Sequence, residues 1–201
     1  MQFIAHRINT LSELTSLPET LGVELDVRDH QSRLIIQHDP FVDGEDFEAY
    51  LQHVGERLII LNIKSERIEH KILDLLNAHK KTNFFFLDSS FPMMMTLSST
   101  SENRLAIRFS EFESIDTVIA MQHRVKWVWI DCFSHCPLTP ENYSILKKLN
   151  LKLCLVSPDL LGRPEDIETL ATLLRTHALS VDAICTKTHN ISRWTHALHV
   201  A

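Results

Sequence analysis

The chain has 201 residues, 44% apolar and 23% charged, which suits a globular fold with one substantial core. Its formal charge of -6 leaves no sequence-wide basic field, so nucleic acid is not an expected partner. No apolar run approaches the roughly 18 residues needed to cross a bilayer.

In chain order, short apolar runs mark strands at Phe3–His6, Val23–Val27, Leu58–Ile63, Asn83–Asp88, Leu105–Phe109, Trp127–Asp131, Leu151–Val156 and Val181–Thr186. Helical periodicity lies between them over Glu66–Lys80, Glu111–His123, Pro140–Leu149 and Pro164–His177. Pro140-Glu141 and Pro164-Glu165 place a proline and an acid in a first turn, as helix starts do. The run Arg33–Gln37 reads as a small excursion after the second strand rather than a ninth barrel strand. Eight strand–helix alternations without a linker predict an α/β fold, a compact single-domain (β/α)8 TIM barrel over residues 1–201. An open doubly wound sheet is the alternative. Only four glycines are present and no G-x-G-x-x-G or P-loop occurs, so nucleotide-phosphate loops of those kinds are excluded.

The opening MQFIAHRINT lacks the basic-then-apolar layout of a secretory signal. Cys132, Cys136, Cys154 and Cys185 sit on or beside apolar runs, so reduced, buried thiols in a cytoplasmic protein are expected. Cys132 and Cys136 flank His135 at a spacing that a metal could use, but no second paired motif completes a zinc site. Met93–Met95 are expected to pack in the core.

Catalytic groups of a barrel gather at the C-terminal ends of its strands, so the polar residues there are the candidates. They are His6 and Arg7, Glu24 and Asp26, Asn62 and Lys64, Asp88, Arg108, Asp131, Ser157 and Thr186-Lys187. Period two places Glu24 and Asp26 on one face of an otherwise apolar strand. Two such carboxylates raise each other's pKa unless a cation neutralises them. One divalent ion, Mg2+ or Ca2+, with oxygen ligands fits that need, and an ionic lattice with Arg7, Lys64 and Arg108 is the other solution. His6 and His38 could serve as base and acid on opposite sides of a phosphorus.

The order His6-Arg7, Asn9-Thr10, Glu24-Leu25-Asp26-Val27 and His38-Asp39-Pro40 resembles the glycerophosphodiester phosphodiesterase family, which reads HRG, ENT, ELDV and HDP. Leu61–Lys64 looks like that family's E-I-K strand, Ser90-Phe91 like its S-F, and Ser180–Thr186 like its closing GVDGIITD. The resemblance implies a metal-dependent barrel hydrolase of a small-molecule phosphodiester, with a place in lipid metabolism. It implies Glu24, Asp26 and Asn62 as metal ligands and His6 and His38 as the catalytic pair. Arg7 and Lys64, with Arg108, would hold phosphate oxygens, and a hydroxyl beside the diester would be the internal nucleophile. The chain departs from the pattern in losing the glycine, in carrying Ile8 at the motif glutamate, and in placing Asn62 where the third ligand would be a glutamate. Asp88 is a possible compensating acid. The competing functions are a non-catalytic or repurposed barrel that binds a phosphorylated ligand, and an unrelated barrel enzyme using Lys64 as a Schiff base.

Overall fold

Apolar runs fold as parallel strands and the periodic segments between them as helices. A computed structural model describes residues 1–199, which divide into two compact units. One comprises Ile4–Leu105; the other comprises Met1–Phe3 with the described residues from Ala106 onward.

The first unit holds the end of β1 (Gln2–Ala5), then α1 (Leu11–Ser16), β2 (Gly22–His30), β3 (Arg33–Ile36), β4 (Glu45–Asp46), α2 (Phe47–Leu51), β5 (Ile59–Ile63), α3 (Glu69–Ala78), β6 (Phe84–Leu87) and α4 (Phe91–Ser99). β2 lies parallel to β1 through Gly22 and Val23, and to β5 through Val23–Val27; β5 in turn pairs parallel with β6. Such strands are covered on both faces, which is why β6 reads as an unbroken apolar run and β5 is apolar but for Asn62, and both are fully buried. Gly22 fits a close β1–β2 contact: a Cβ there would stand 2.3 Å from Ile4 Cδ1, which would have to shift, and 3.0 Å from the Leu58 carbonyl oxygen. The Arg33–Gln37 excursion contains a short strand, β3, that is not one of the parallel set. β2 runs on to His30 and turns back into β3, pairing antiparallel from Val27↔Ile36 to His30↔Arg33. Antiparallel return is what a short turn permits, whereas the parallel strands need helical crossovers.

The second unit contains β7 (Ala106–Phe109), α5 (Ile115–Met121), β8 (Trp127–Ile130), α6 (Pro140–Lys148), β9 (Lys152–Val156), α7 (Ile167–Thr176), β10 (Ala183–Thr186) and α8 (Ile191–His199). β7, β8, β9 and β10 pair in that order, all parallel, and Gln2 N–H donates to the Asp182 carbonyl at 2.8 Å. The eight strands expected from the sequence are therefore all present among the described residues. The helix expected over 111–123 starts only at Ile115. Ser110 Oγ accepts the Phe112 and Glu113 N–H groups in a tight turn, and Ser114 then caps the helix. Four further helices, α1, α2, α4 and α8, lie outside the four expected from the sequence. Met93 and Met94 on α4 are buried, while Met95 is partly exposed.

The sheet-and-helix layering is mixed α/β in both units. No described helix is long and apolar enough to cross a membrane.

Candidate functional site

The residues described below around Glu24 and Asp26 belong to the first unit. β2 is buried along Gly22–Arg28, so its acids stand in the core, with both side chains almost wholly inaccessible. Groups from the segment after β1 and from the end of β5 and just beyond it stand around them. The Arg7 N–H donates to Glu24 Oε2 at 2.8 Å, and His6 Nε2 lies 3.7 Å from the same oxygen. Asn62 Nδ2 donates to Glu24 Oε1 at 2.9 Å. On Asp26, Asn9 Nδ2 donates to Oδ2 at 2.9 Å, Arg7 Nε stands 3.7 Å from Oδ2, and Lys64 Nζ stands 3.3 Å from Oδ1. The register that delivers these contacts is the β2–β5 pairing, which sets Asp26 opposite Asn62. Arg7 adopts a left-handed backbone, φ 53°, which costs a non-glycine residue roughly 1 kcal/mol or more and turns its N–H onto Glu24.

Burial pushes the Glu24 carboxyl up to about 7, and the neighbouring Asp26 charge adds to the rise; the Asn62 amide, the Arg7 N–H and Lys64 oppose it. Its ordinary value is 4.5, so between those two values the folded chain holds a proton that the unfolded chain has released. Stability from this group is complete below about 4.5 and is lost as pH rises to about 7. Asp131, raised to about 6 by burial, acts in the same direction. Urea midpoints are therefore expected to fall between pH about 5 and about 7.5, and Glu24→Gln is expected to flatten that fall.

The donors here are oxygens: two carboxylates and one amide. Asp26 Oδ1 and Asn62 Oδ1 are buried without a hydrogen-bond partner, the Lys64 ammonium lying at ion-pair distance from the former but off its hydrogen-bonding direction. Two carboxylates plus a neutral oxygen suit a hard cation such as Mg2+, which keeps part of its water shell, so the residues present fit one divalent ion. Among the described residues no three His, Cys, Asp or Glu side chains gather as a metal-binding group. Asp88 is therefore not the compensating acid. It is exposed, has a left-handed backbone at φ 61°, and lines a separate cavity of about 180 Å³ with Lys64 and Ser90.

His38 stands just beyond β3. Gln37 N–H donates to the Asp26 carbonyl at 2.8 Å, tying the segment to β2, and His38 Nδ1 is held by Asp39 Oδ1 at 2.8 Å. That contact engages Nδ1 and leaves Nε2 as the ring nitrogen not bonded to Asp39. Arg108 belongs to the second unit, where it is paired with the Asp131 carboxylate, itself accepting from Trp129 Nε1 at 3.2 Å.

Two residues of the site were not among the expected ones. Asn9 clamps Asp26 twice, since its Oδ1 also accepts the Asp26 N–H at 3.0 Å, and the signal for it was the Asn9-Thr10 motif. Arg28 follows Glu24 and Asp26 on their face by period two; it is buried, with Nη2 3.5 Å from the Lys64 carbonyl. Arg7, Asn9, Glu13 and Gln37 also open on a cavity of about 740 Å³, roomy enough for a small organic substrate.

No protein-family model matches the chain, and no curated protein matches its sequence. Its fold does have solved counterparts. A glycerophosphodiester phosphodiesterase from Agrobacterium tumefaciens superimposes with a TM-score of 0.66 at 16% identity, covering 92% of this chain and 96% of that one. A protein of the same organism assigned as a glycerophosphoryl diester phosphodiesterase gives 0.68 at 14% identity, covering 98% of each chain. The family that the sequence motifs resemble is thus the one whose fold this chain shares.

Proposed function

We propose that the chain is a metal-dependent phosphodiesterase that hydrolyses a glycerophosphodiester or a similar alcohol-bearing diester. In this reading residues 1–201 form one closed (β/α)8 barrel domain of a cytoplasmic protein of lipid metabolism. The observation that carries it is the pair of fully buried carboxylates, Glu24 and Asp26, with Asp26 Oδ1 and the neighbouring Asn62 Oδ1 lacking hydrogen-bond partners. Such a concentration of desolvated acceptors is costly to a fold and is characteristic of sites built for a cation and an anionic substrate.

Glu24, Asp26 and Asn62 would hold one Mg2+ or Ca2+. When bound, the ion supplies Lewis-acid polarisation of a phosphoryl oxygen. Arg7, whose side chain is half exposed, and Lys64 stand beside the acids with charge to offer phosphate oxygens; Arg108 is the third such cation of the proposal. His6 and His38 exchange protons with the substrate. One imidazole takes the proton of the attacking hydroxyl and the other delivers one to the leaving oxygen, and each reverses its role when water opens the cyclic product. Asp39 keeps the His38 ring oriented through Nδ1.

A second reading is a barrel that binds a phosphorylated ligand without turning it over. It is favoured by Lys64, which already supplies Asp26 with a positive charge. Hydrolysis of glycerophosphodiesters and of a chromogenic diester, measured with Mg2+, Ca2+, Mn2+ or chelator, separates the two. Turnover that chelator abolishes and added ion restores supports the enzyme. Tight binding of a phosphorylated ligand with no turnover across the panel supports the binder.

A further inference from the structure

A second chemically distinctive cluster lies in the second unit, on the loop that follows β8. Cys132–Cys136 leaves the strand as an irregular segment whose backbone is held from two sides. The Glu111 carboxylate accepts the N–H groups of Phe133, Ser134 and His135 at 3.2, 2.5 and 2.9 Å, and the Ser134 hydroxyl at 3.0 Å. These donors hold Glu111 down to about 2, although burial works against them. From the other side Arg163 donates to the carbonyls of Cys132 and of Ser134, and is itself fixed by Asp166. These contacts hold the Cys132 end of the loop and the three residues that lead to Cys136.

The two thiol side chains lie close enough to influence each other's titration. Cys132 is buried, whereas Cys136 is partly accessible, and both line a cavity of about 200 Å³ with His135, Pro158, Arg163 and Leu170. Cys154 and Cys185 are different: they sit within β9 and β10 and are wholly buried. A zinc site is not what the loop offers. The His135 ring turns to Ser134 Oγ at 3.0 Å and toward Glu111, and no third ligand joins the cysteines among the described residues.

We propose that Cys132 and Cys136 are a dithiol modification site that closes to an intramolecular disulfide when a peroxide enters the adjoining cavity. Cys136 is the attacking group. The interaction with Cys132 holds its thiol below the ordinary range, while the Cys132 thiol is raised by its interaction with Cys136 and by burial. The Cys136 thiolate attacks one peroxide oxygen, the O–O bond breaks, and the departing hydroxide leaves a sulfenic acid on Cys136. Cys132 Sγ then attacks Cys136 Sγ; the S–O bond breaks, and the hydroxide leaves as water with the Cys132 proton. Two thiols and one peroxide become one disulfide and two waters.

The test is to treat the native full chain with hydrogen peroxide, alkylate it under denaturing conditions, and map the four cysteines by mass spectrometry. The expected result is a peptide joined between Cys132 and Cys136 that takes no alkylating agent until reduced, with Cys154 and Cys185 alkylated throughout. In Cys132→Ser the Cys136 sulfenic acid is expected to persist and be captured by dimedone; in Cys136→Ser, Cys132 is expected to stay a thiol. Four alkylated cysteines at peroxide levels that oxidise a free-thiol control peptide would overturn the proposal. So would over-oxidation of Cys136 beside a still-alkylatable Cys132. Mapping of the unsubstituted chain decides the matter even where a variant fails to fold.

Discussion

Replacing His6 with alanine is expected to lower kcat for glycerophosphodiester hydrolysis by about 10²- to 10⁴-fold, the usual contribution of a positioned acid or base. His6 ends β1 with its Nε2 3.7 Å from Glu24 Oε2, and its side chain is only 21% exposed, so it stands between the buried acids and solvent. Its removal takes away a proton carrier without disturbing the Glu24 bonds to Arg7 N–H and Asn62. The melting temperature and the affinity for a non-hydrolysable phosphodiester are accordingly expected to change little. His38→Ala should give a similar loss. His6→Ala and His38→Ala together should lose little more than either alone, because residues acting as a unit are not additive. If His6→Ala retained full turnover, the acid–base assignment would fail even though the metal ligands stood.

Asn62→Glu carries the largest expected effect on stability. Asn62 now donates to Glu24 Oε1 at 2.9 Å from a position directly across from Asp26 on the paired strand. A carboxylate there removes the donated hydrogen bond and brings a third negative charge against two buried ones. Losing the bond and burying an uncompensated charge should cost about 2–4 kcal/mol in metal-free buffer. If the oxygens share a cation site, the variant should bind Mg2+ or Ca2+ more tightly than the parent. At a concentration 100-fold above Kd, binding restores about 2.7 kcal/mol. Urea midpoints of both proteins with and without the ion read this directly, and Asn62→Gln controls for the longer side chain. A variant destabilised equally with and without the ion would show that Glu24, Asp26 and residue 62 do not face a common cation.

Much of this was legible in the residues because the governing rules are local. Strands covered on both faces are mostly apolar, so Phe84–Leu87 and Trp127–Ile130 announce themselves, as does Ile59–Ile63 despite the polar Asn62 within it. Period two fixed the shared face of Glu24 and Asp26 before any fold was known. The short helices were less visible, since six residues at Leu11–Ser16 are held by the Thr10–Glu13 capping box more than by any periodic pattern. Arg33–Gln37 reads as an excursion rather than a ninth barrel strand; that it folds back as β3 onto the extension of β2 is declared by pairing, not by composition.

The partners of the acids belong to the tertiary structure alone. Composition offered Arg7, Lys64 and Arg108 as equal candidates to neutralise Glu24 and Asp26. In the fold Lys64 reaches Asp26 and the Arg7 backbone reaches Glu24, while Arg108 is paired with Asp131. Asn9, with no charge, holds Asp26 at two points because a left-handed Arg7 turns the chain back over β2. The residue types and their alternation along each strand therefore follow from one-dimensional order, through hydrophobic burial and backbone geometry. Which cation meets which carboxylate, and which oxygens are left without a donor, depends on strand register and on turns whose residues lie 17 to 38 positions apart. Electrostatic energy falls off over a few ångströms, so only the folded distances decide it.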